Sequence, residues 1–423
     1  MKSKEPISVF EHDTLYVRKN SKFDTPQFEA LKQYYGDNGV PYFSLGNNSV
    51  RFNQYVGVIQ VGGTVIEVLP KADKSGSKGY WRDMLIDMLR SVGIFKVHAP
   101  SSSSLKLKPN SILDLYIELY VQELEYLLHR GLIKRYRKQN GNKTALKGKL
   151  VFAKHIQKNV THQERFYVRY TTYSKEHLIH QILYKALTLI KRINKASILK
   201  SRIGALTLNF PEMPDIKVIE ASFEKISYNR KNEHYKKALD IAKLLLLNYH
   251  PDLMKGRNDV LALMFNMNRL WESFVFESLR KGLSKEKGKH TIKREPQKRF
   301  WELKTKKEKD KKEKTVMKPD IVLNYNGASI ILDAKWKNIN GKKSSPHDLR
   351  QMYVYLDYYK GDKVALVYPN TPFKQGYFMD VDGKKQNKNK ECSIVGIKLP
   401  DENKNISTWQ NEIYENIRKW IET

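Results

Sequence analysis

The chain has 423 residues, 40% of them hydrophobic and 29% charged, enough for two or three domains with real cores and too apolar for a disordered protein. Lysine and arginine number 77 against 45 acids, a formal charge of +32, which favours a polyanionic partner such as DNA, RNA or an anionic membrane surface. A lysine-rich coding bias is the alternative source of that charge. A single cysteine, Cys392, excludes a disulfide framework and a cysteine-based zinc site and suits a reducing cytoplasm. The opening "MKSKEPISVFEHDTLY" lacks the apolar run of a signal peptide, and no stretch reaches the ~20 apolar residues of a spanning helix, so no membrane role is expected.

Taken in chain order, "GVPYFSLGNNSVRFNQYVGVIQVGGTVIEVLPK" shows short alternating runs broken by Gly and Asn. It predicts strands, with a hairpin turning at Gly62-Gly63. "SGSKG" follows as a loop. From Trp81 the period becomes helical: "YWRDMLIDMLRSVG" and "ILDLYIELYVQELEYLLHRGLIKRYR" carry apolar residues three and four apart. A basic loop, "RKQNGNKTALKGK", is expected next, then "LVFAKHIQ" and helices over "KEHLIHQILYKALTLIKRI" and "NEHYKKALDIAKLLLLNYH". The last part opens on "LALMFNMNRLWESFVFESLRKGL", read as one amphipathic helix, followed by the lysine-rich loop "KTKKEKDKKEK". A hairpin, a helix from Ser345-Pro346 to Gly361, and the buried strand "KVALVYP" complete the pattern. The expected architecture is α+β and multidomain. It comprises a β-rich domain over 1–80, a mainly helical region over 81–255, and an α/β domain over 256–423.

The hairpin "KPDIVLNYNGASIILDAKWK" is the chemical focus. Asn326-Gly327 suits a type I′ turn, which needs positive φ at both central positions. A two-residue turn there pairs Tyr325 with Ala328, and the same register sets Asp320 directly across from Asp333. Lys335, two residues beyond Asp333, emerges on the same face. Ile321, Leu323, Ile330, Leu332 and Ala334 make the opposite, apolar face. Two facing carboxylates repel, and a hard divalent cation such as Mg²⁺ or Mn²⁺ relieves the repulsion. Such a cation acidifies its water and polarises a phosphoryl oxygen, while the amine orients or deprotonates that water or neutralises charge on the phosphate. Metal-dependent phosphodiester hydrolysis is the chemistry this pattern suits. The competing reading is a surface ion pair between Asp320 and Lys335 on an ordinary hairpin.

The order helix, strand, Asp strand, Asp-x-Lys strand, helix, strand resembles the PD-(D/E)xK nuclease core, with Lys318-Pro319-Asp320 and Asp333-Ala334-Lys335 in the motif positions. Gln351 and Tyr355 resemble the QxxxY element of its RecB-related branch. Glu272, in "MNRLWESFV", is placed like the acid that the first helix of that superfamily offers to the metal, with Glu277 as the alternative. "YVGVIQVGGTVIEVLPK", "LHRGLIKRYR", "LKGKLVFAKHIQ", "MNRLWESFV", "KPDIVL…ILDAKWK" and "HDLRQMYVYL" come in an order similar to the McrC family, from about residue 40 to about 370. McrC is the nuclease subunit of McrBC-type restriction systems, including the LlaJI-like ones. The resemblance implies a cytoplasmic bacterial endonuclease subunit of phage defence. It would act on double-stranded DNA, dock on a McrB-like AAA+ GTPase ring and stimulate its GTP hydrolysis. The amino-terminal β part would carry that contact.

Asp320 and Asp333 would then be metal ligands, Lys335 the orienting base, Glu272 a further metal contact, and Gln351 a residue positioning phosphate or water. GTP would enter only through the partner. The chain offers no phosphate-binding loop of its own, since "RKQNGNKT" has Arg137 and Asn142 where that motif needs glycines. Where family members often carry R-G-R, this chain has Lys147-Gly148-Lys149, which keeps charge and loses bidentate geometry. His177, His180 and Glu176 are expected to be an ordinary helix surface rather than a zinc site. Tyr116 and Tyr120 read as helix packing. Two other readings stay open: a non-catalytic scaffold bridging a GTPase ring to DNA, and a free-standing repair nuclease.

Overall fold

The computed structural model describes residues 6–17, 23–71, 76–93, 111–251, 259–302, 314–337, 339, 344–384, 390–401 and 405–423. The fold is mixed α/β, with several sheets and helices. Described residues within 60–65 and 96–263 gather into one compact unit, and those within 7–59, 66–95 and 264–423 into another. The lysine-rich stretch 304–314 lies outside the described residues except for Lys314.

The chain begins with β1 (Ile7–Phe10), β2 (Thr14–Tyr16), α1 (Thr25–Tyr35), β3 (Phe43–Gly46), β4 (Ser49–Phe52), β5 (Tyr55–Val61), β6 (Thr64–Leu69) and α2 (Lys78–Ser91). As the Gly62-Gly63 turn predicts, β5 and β6 lie side by side, and Gly62 takes a φ of 53°. Strand β1 pairs in parallel with β6, from Ile7 opposite Ile66 to Phe10 opposite Leu69.

The 96–263 unit contains α3 (Ile112–Arg130), β7 (Arg135–Lys143), β8 (Lys149–Leu150), α4 (Phe152–Asn159), β9 (Phe166–Ser174), α5 (Leu178–Ile193), α6 (Ser197–Asn209), α7 (Glu220–Glu224), a 3-10 turn at Glu233–Tyr235, α8 (Lys236–Leu247) and β10 (Tyr249–His250). Tyr116 and Tyr120 are fully buried in α3, as the helical spacing predicts. Two expectations change here. The helix read through "LIKRYR" stops at Gly131, whose φ is 88°, and the "basic loop" is largely the nine-residue strand β7. It pairs along its whole length with β9 in a three-stranded sheet, so this region is less helical than expected. Strand β7 is exposed along most of its length, so no alternation of apolar residues marks it.

The rest comprises β11 (Val260–Asn266), α9 (Met267–Leu283), β12 (His290–Arg294), β13 (Lys298–Glu302), β14 (Lys314–Met317), β15 (Ile321–Tyr325), β16 (Ala328–Ala334), α10 (Pro346–Tyr359), β17 (Lys363–Pro369), β18 (Glu391–Ile397) and α11 (Ile406–Glu422). The single helix read over "LALMFNMNRLW…" is two elements. Its apolar start, buried from Val260 to Leu263, is strand, and Asn266 caps the helix that follows by accepting from the Arg269 N–H.

Five strands form one sheet in the order β12-β15-β16-β17-β18, with β16 at its centre. The first two pairings are antiparallel and the last two parallel, and α10 is the crossover that sets β17 parallel to β16. Helix α10 covers one face, over Ile331, Val364 and Leu366. Helix α9 packs against β16 and α11, where Trp271, Trp336, Trp409 and Phe274 cluster with ring centroids 4.7–6.2 Å apart. The face that carries Asp333 is therefore not open to solvent: both faces of β16 are buried from Ile330 to Ala334.

Glu11, just past β1, is 2% exposed and accepts hydrogen bonds from the Lys71 N–H and the Trp336 Nε1–H, each at 2.8 Å. Burial pushes its carboxyl up to about 7 against the two N–H groups and the Lys71 charge, from an ordinary 4.5. The folded state thus holds a proton that the unfolded chain releases, and stability falls as pH rises through that window, by up to about 3 kcal/mol. Glu11→Gln keeps an accepting oxygen and cannot ionise. Urea unfolding should show the variant losing this slope and exceeding the parent chain above pH 7; an unchanged slope would exclude Glu11 as its source.

Candidate active site at the end of the central strand

Asn326 and Gly327 take φ values of 51° and 95°, and the strands pair from Tyr325 opposite Ala328 to Ile321 opposite Leu332, the register the turn predicts. Asp320 itself lies one residue outside the ladder rather than in the strand. Pro319 has no N–H to donate, the Asp320 carbonyl accepts from the Glu295 N–H at 2.8 Å, and the Ala334 N–H is taken by the Asp320 side chain, Oδ2, at 2.8 Å. The carboxylate thus replaces a backbone rung and lies beside Asp333.

Asp333 is 1% exposed. Lys335 Nζ lies 2.8 Å from Asp333 Oδ2, a charge-assisted contact inside the buried site that opposes the effect of burial on the carboxyl. The competing reading, a surface ion pair of Asp320 with Lys335, is not what forms: Lys335 pairs with Asp333 in a buried place, and Lys318 pairs with Glu295 at 2.9 Å.

The electrostatics follow from crowding in a dry place. Burial first, then the charges of Asp333 and Glu272, drive the Asp320 carboxyl far above the usual carboxylate range. Asp333 is also raised by burial, with Lys335 opposing. Burial pulls the Lys335 ammonium down, but Asp333, then Asp320 and Asp348, outweigh it and hold the amine in its charged form. Glu272 on α9 is raised by burial, and its carboxyl interacts with Lys335 and Asp333. Glu277, the alternative acid, is ion-paired with Arg280 at 2.6 Å.

Helix α10 fixes the approach to Asp320. Ser345 and Pro346 begin it as predicted; Lys360, with φ 53°, takes the left-handed position at its end, ahead of Gly361. Gln351 Nε2 donates to Tyr355 Oη at 2.8 Å, and Tyr355 Oη donates to the Lys318 carbonyl at 3.1 Å. Tyr359 Oη lies 2.8 Å from the Met317 carbonyl. The structure therefore brings Asp320, Asp333, Lys335 and Glu272 within electrostatic reach of one another, and engages the amide nitrogen of Gln351 with Tyr355.

Two residues escaped the sequence reading. Asp348, buried in the first turn of α10, accepts from Lys337 Nζ at 2.7 Å and Tyr368 Oη at 3.3 Å, and its charge adds to the rise of Asp333. Their only signals were Lys337 two residues past Lys335 and Asp348 three before Gln351.

Among the described residues no group of three His, Cys, Asp or Glu is gathered as a ready metal cluster. A hydrated cation held by two carboxylates needs no third protein ligand. The donor set fits one: two buried carboxyls side by side, both kept above their usual range even with Lys335 beside them. His177 and His180 behave differently. His180 is fully buried, not on a helix surface, and burial pushes it down to about 3. Its ring nitrogens lie 2.6 Å from the Lys175 carbonyl and 3.2 Å from Tyr235 Oη. It is a core residue with both nitrogens engaged.

The family model for "McrBC 5-methylcytosine restriction system component" matches residues 50–369. No curated protein matches the chain. A chain of the refined half-complex from the tetradecameric assembly of Thermococcus gammatolerans McrB AAA+ hexamers with bound McrC is similar in fold. Its TM-score is 0.70 at 18% identity, over 98% of this chain and 100% of that one. A chain of the cryo-EM structure of the T. gammatolerans McrBC complex gives a TM-score of 0.51 at 20% identity, over 67% and 89%. Among the described residues no helix is long and apolar enough to cross a membrane.

Proposed function

The chain belongs to the McrBC 5-methylcytosine restriction system component family, and from that premise we propose that it is the DNA-cutting subunit of such a system. It is a PD-(D/E)xK endonuclease that hydrolyses phosphodiesters of double-stranded DNA with Mg²⁺ or Mn²⁺ and works docked on a McrB-like AAA+ GTPase ring. The observation that carries the chemistry is the pair of buried, mutually repelling carboxyls of Asp320 and Asp333, with Lys335 beside them, at the carboxyl end of the central strand. The partner reading rests on the likeness in fold to a chain of an assembly of McrB AAA+ hexamers with bound McrC.

Asp320 and Asp333 would hold the cation, and Glu272 acts on the pair through its charge. When bound, the cation supplies a more acidic water and polarises a phosphoryl oxygen. The residues of the chain do the rest. Burial keeps bulk water from the carboxylates. Lys335, held charged by Asp333, acts as a cation on the phosphate and not as a resting base. Gln351 acts through Tyr355, which fixes the Lys318 carbonyl and so the aim of Asp320.

Reconstitution tests this. The full chain, a McrB-like GTPase, methylated duplex DNA, Mg²⁺ and GTP should together give cleavage, and omission of any one should abolish it. An assembled complex that hydrolyses GTP and leaves the DNA intact would replace the nuclease by the scaffold.

A further inference from the structure

Strands β13 and β14 form a two-stranded ribbon, paired from Lys298 opposite Met317 to Glu302 opposite Lys314. Arg299 faces Val316 and Trp301 faces Thr315, which leaves Phe300 as the extra residue of a β-bulge. Bulges re-aim side chains and recur beside active sites. A ribbon of two strands is marginally stable in water, and one that exposes apolar side chains invites aggregation unless they have a partner. Here Phe300, Trp301 and Val316 are 47%, 46% and 46% exposed.

The ribbon is fastened at its root to the helix that aims the site. The Phe300 ring stands edge-on to Tyr358 at 5.6 Å, and Lys298 Nζ lies 4.4 Å over the Tyr359 ring. Its last paired residue, Met317, precedes Asp320 by only Lys318-Pro319. Residues 293–302 and 314–318 carry six lysines and arginines against two acids. Both acids are already engaged, Glu295 by Lys318 at 2.9 Å and Glu302 by Arg299 at 3.0 Å. The ribbon thus joins a positive surplus to exposed aromatic rings.

We infer that this ribbon is the element that grips duplex DNA beside the cut, an inference that rests on the proposed nuclease function. A two-stranded β-ribbon fits the major groove, where apolar side chains meet base edges and thymine methyls. Trp301, on the face it shares with Thr315, fills that role, and Arg299 and Lys314, which share the other face with Val316 and flank Glu302, exchange that acid for the flanking phosphates. A duplex so held has a phosphate close to Asp320, because the ribbon runs directly into that residue.

The test uses the full chain, a fluorescent duplex, and Ca²⁺ in place of Mg²⁺ so that binding is read without cutting. Trp301→Ala should bind roughly 10-fold more weakly, the size of one lost aromatic contact. Arg299→Gln with Lys314→Gln should lower the slope of log K against log salt by about 2, since each phosphate contact contributes about 0.9. Trp301→Tyr should bind as the parent chain does, and Lys384→Gln, an exposed lysine elsewhere, should leave affinity unchanged. Melting curves confirm folding. Unchanged binding by both ribbon variants overturns the inference, as does loss of the GTPase partner with DNA affinity intact, or a dependence on Trp301 seen only with single strands. Cleavage by the parent chain with GTPase, Mg²⁺ and GTP separates the two claims. Binding that depends on Trp301 without any cutting keeps the ribbon and removes the nuclease, and normal cutting by Trp301→Ala does the reverse.

Discussion

Asp333→Asn is expected to reduce DNA cleavage by the reconstituted complex by a factor on the order of 10³ or more, the loss of several kcal/mol of charge stabilisation. The change is nearly isosteric; it relieves the repulsion with Asp320 but takes the charged partner from Lys335, so melting curves of the apo variant must show it folded. Mn²⁺ titration calorimetry should lose its signal, and the GTPase partner should still co-elute. Nicking that persists at more than a tenth of the parent rate would remove Asp333 from the chemistry.

Trp271→Ala is expected to cost about 3–5 kcal/mol, the range for deleting a large buried aromatic. Its ring lies 5.3 Å from Trp336 and 6.0 Å from Trp409, and its Nε1–H donates to the Val367 carbonyl at 3.3 Å. The same helix supplies Glu272 on one side and, through Asn268 Oδ1 accepting from the Trp336 N–H, steadies the residue next to Lys335. Urea unfolding measures the effect. A loss below about 1 kcal/mol would mean that the cavity collapses and the aromatic cluster is not what holds α9 to the sheet.

Much of the candidate site was legible because local chemistry fixes it. Asn326-Gly327 dictates a turn and the turn dictates a register down to Ile321 opposite Leu332; Asp320, one residue past that ladder, reaches Asp333 only because its side chain takes the Ala334 N–H. Ser345-Pro346 and the buried run from Lys363 to Pro369 were legible for similar reasons. What the sequence hid depends on contacts far along the chain. Nothing in "DAKWK" says that Lys335 will turn back to Asp333, or that Lys337 will reach Asp348 across eleven residues. The strand β11 was read as helix because its start is buried and a short apolar run carries no period that separates the two. Strand β7 was read as loop for the opposite reason, being exposed nearly throughout.

The discontinuity of the second compact unit bears on how the protein is made. Strands such as β4, and Glu11 with its bond to Trp336, leave the ribosome long before residues 264–423 exist, and the intervening residues 96–263 belong to the other unit. At 5–20 residues per second that interval lasts roughly ten to thirty seconds. Through it the apolar amino-terminal segment waits without its packing partners while the intervening unit completes itself. The second unit therefore completes its packing only once residues 264–423 have been made, with the hairpin acids among the last parts to arrive.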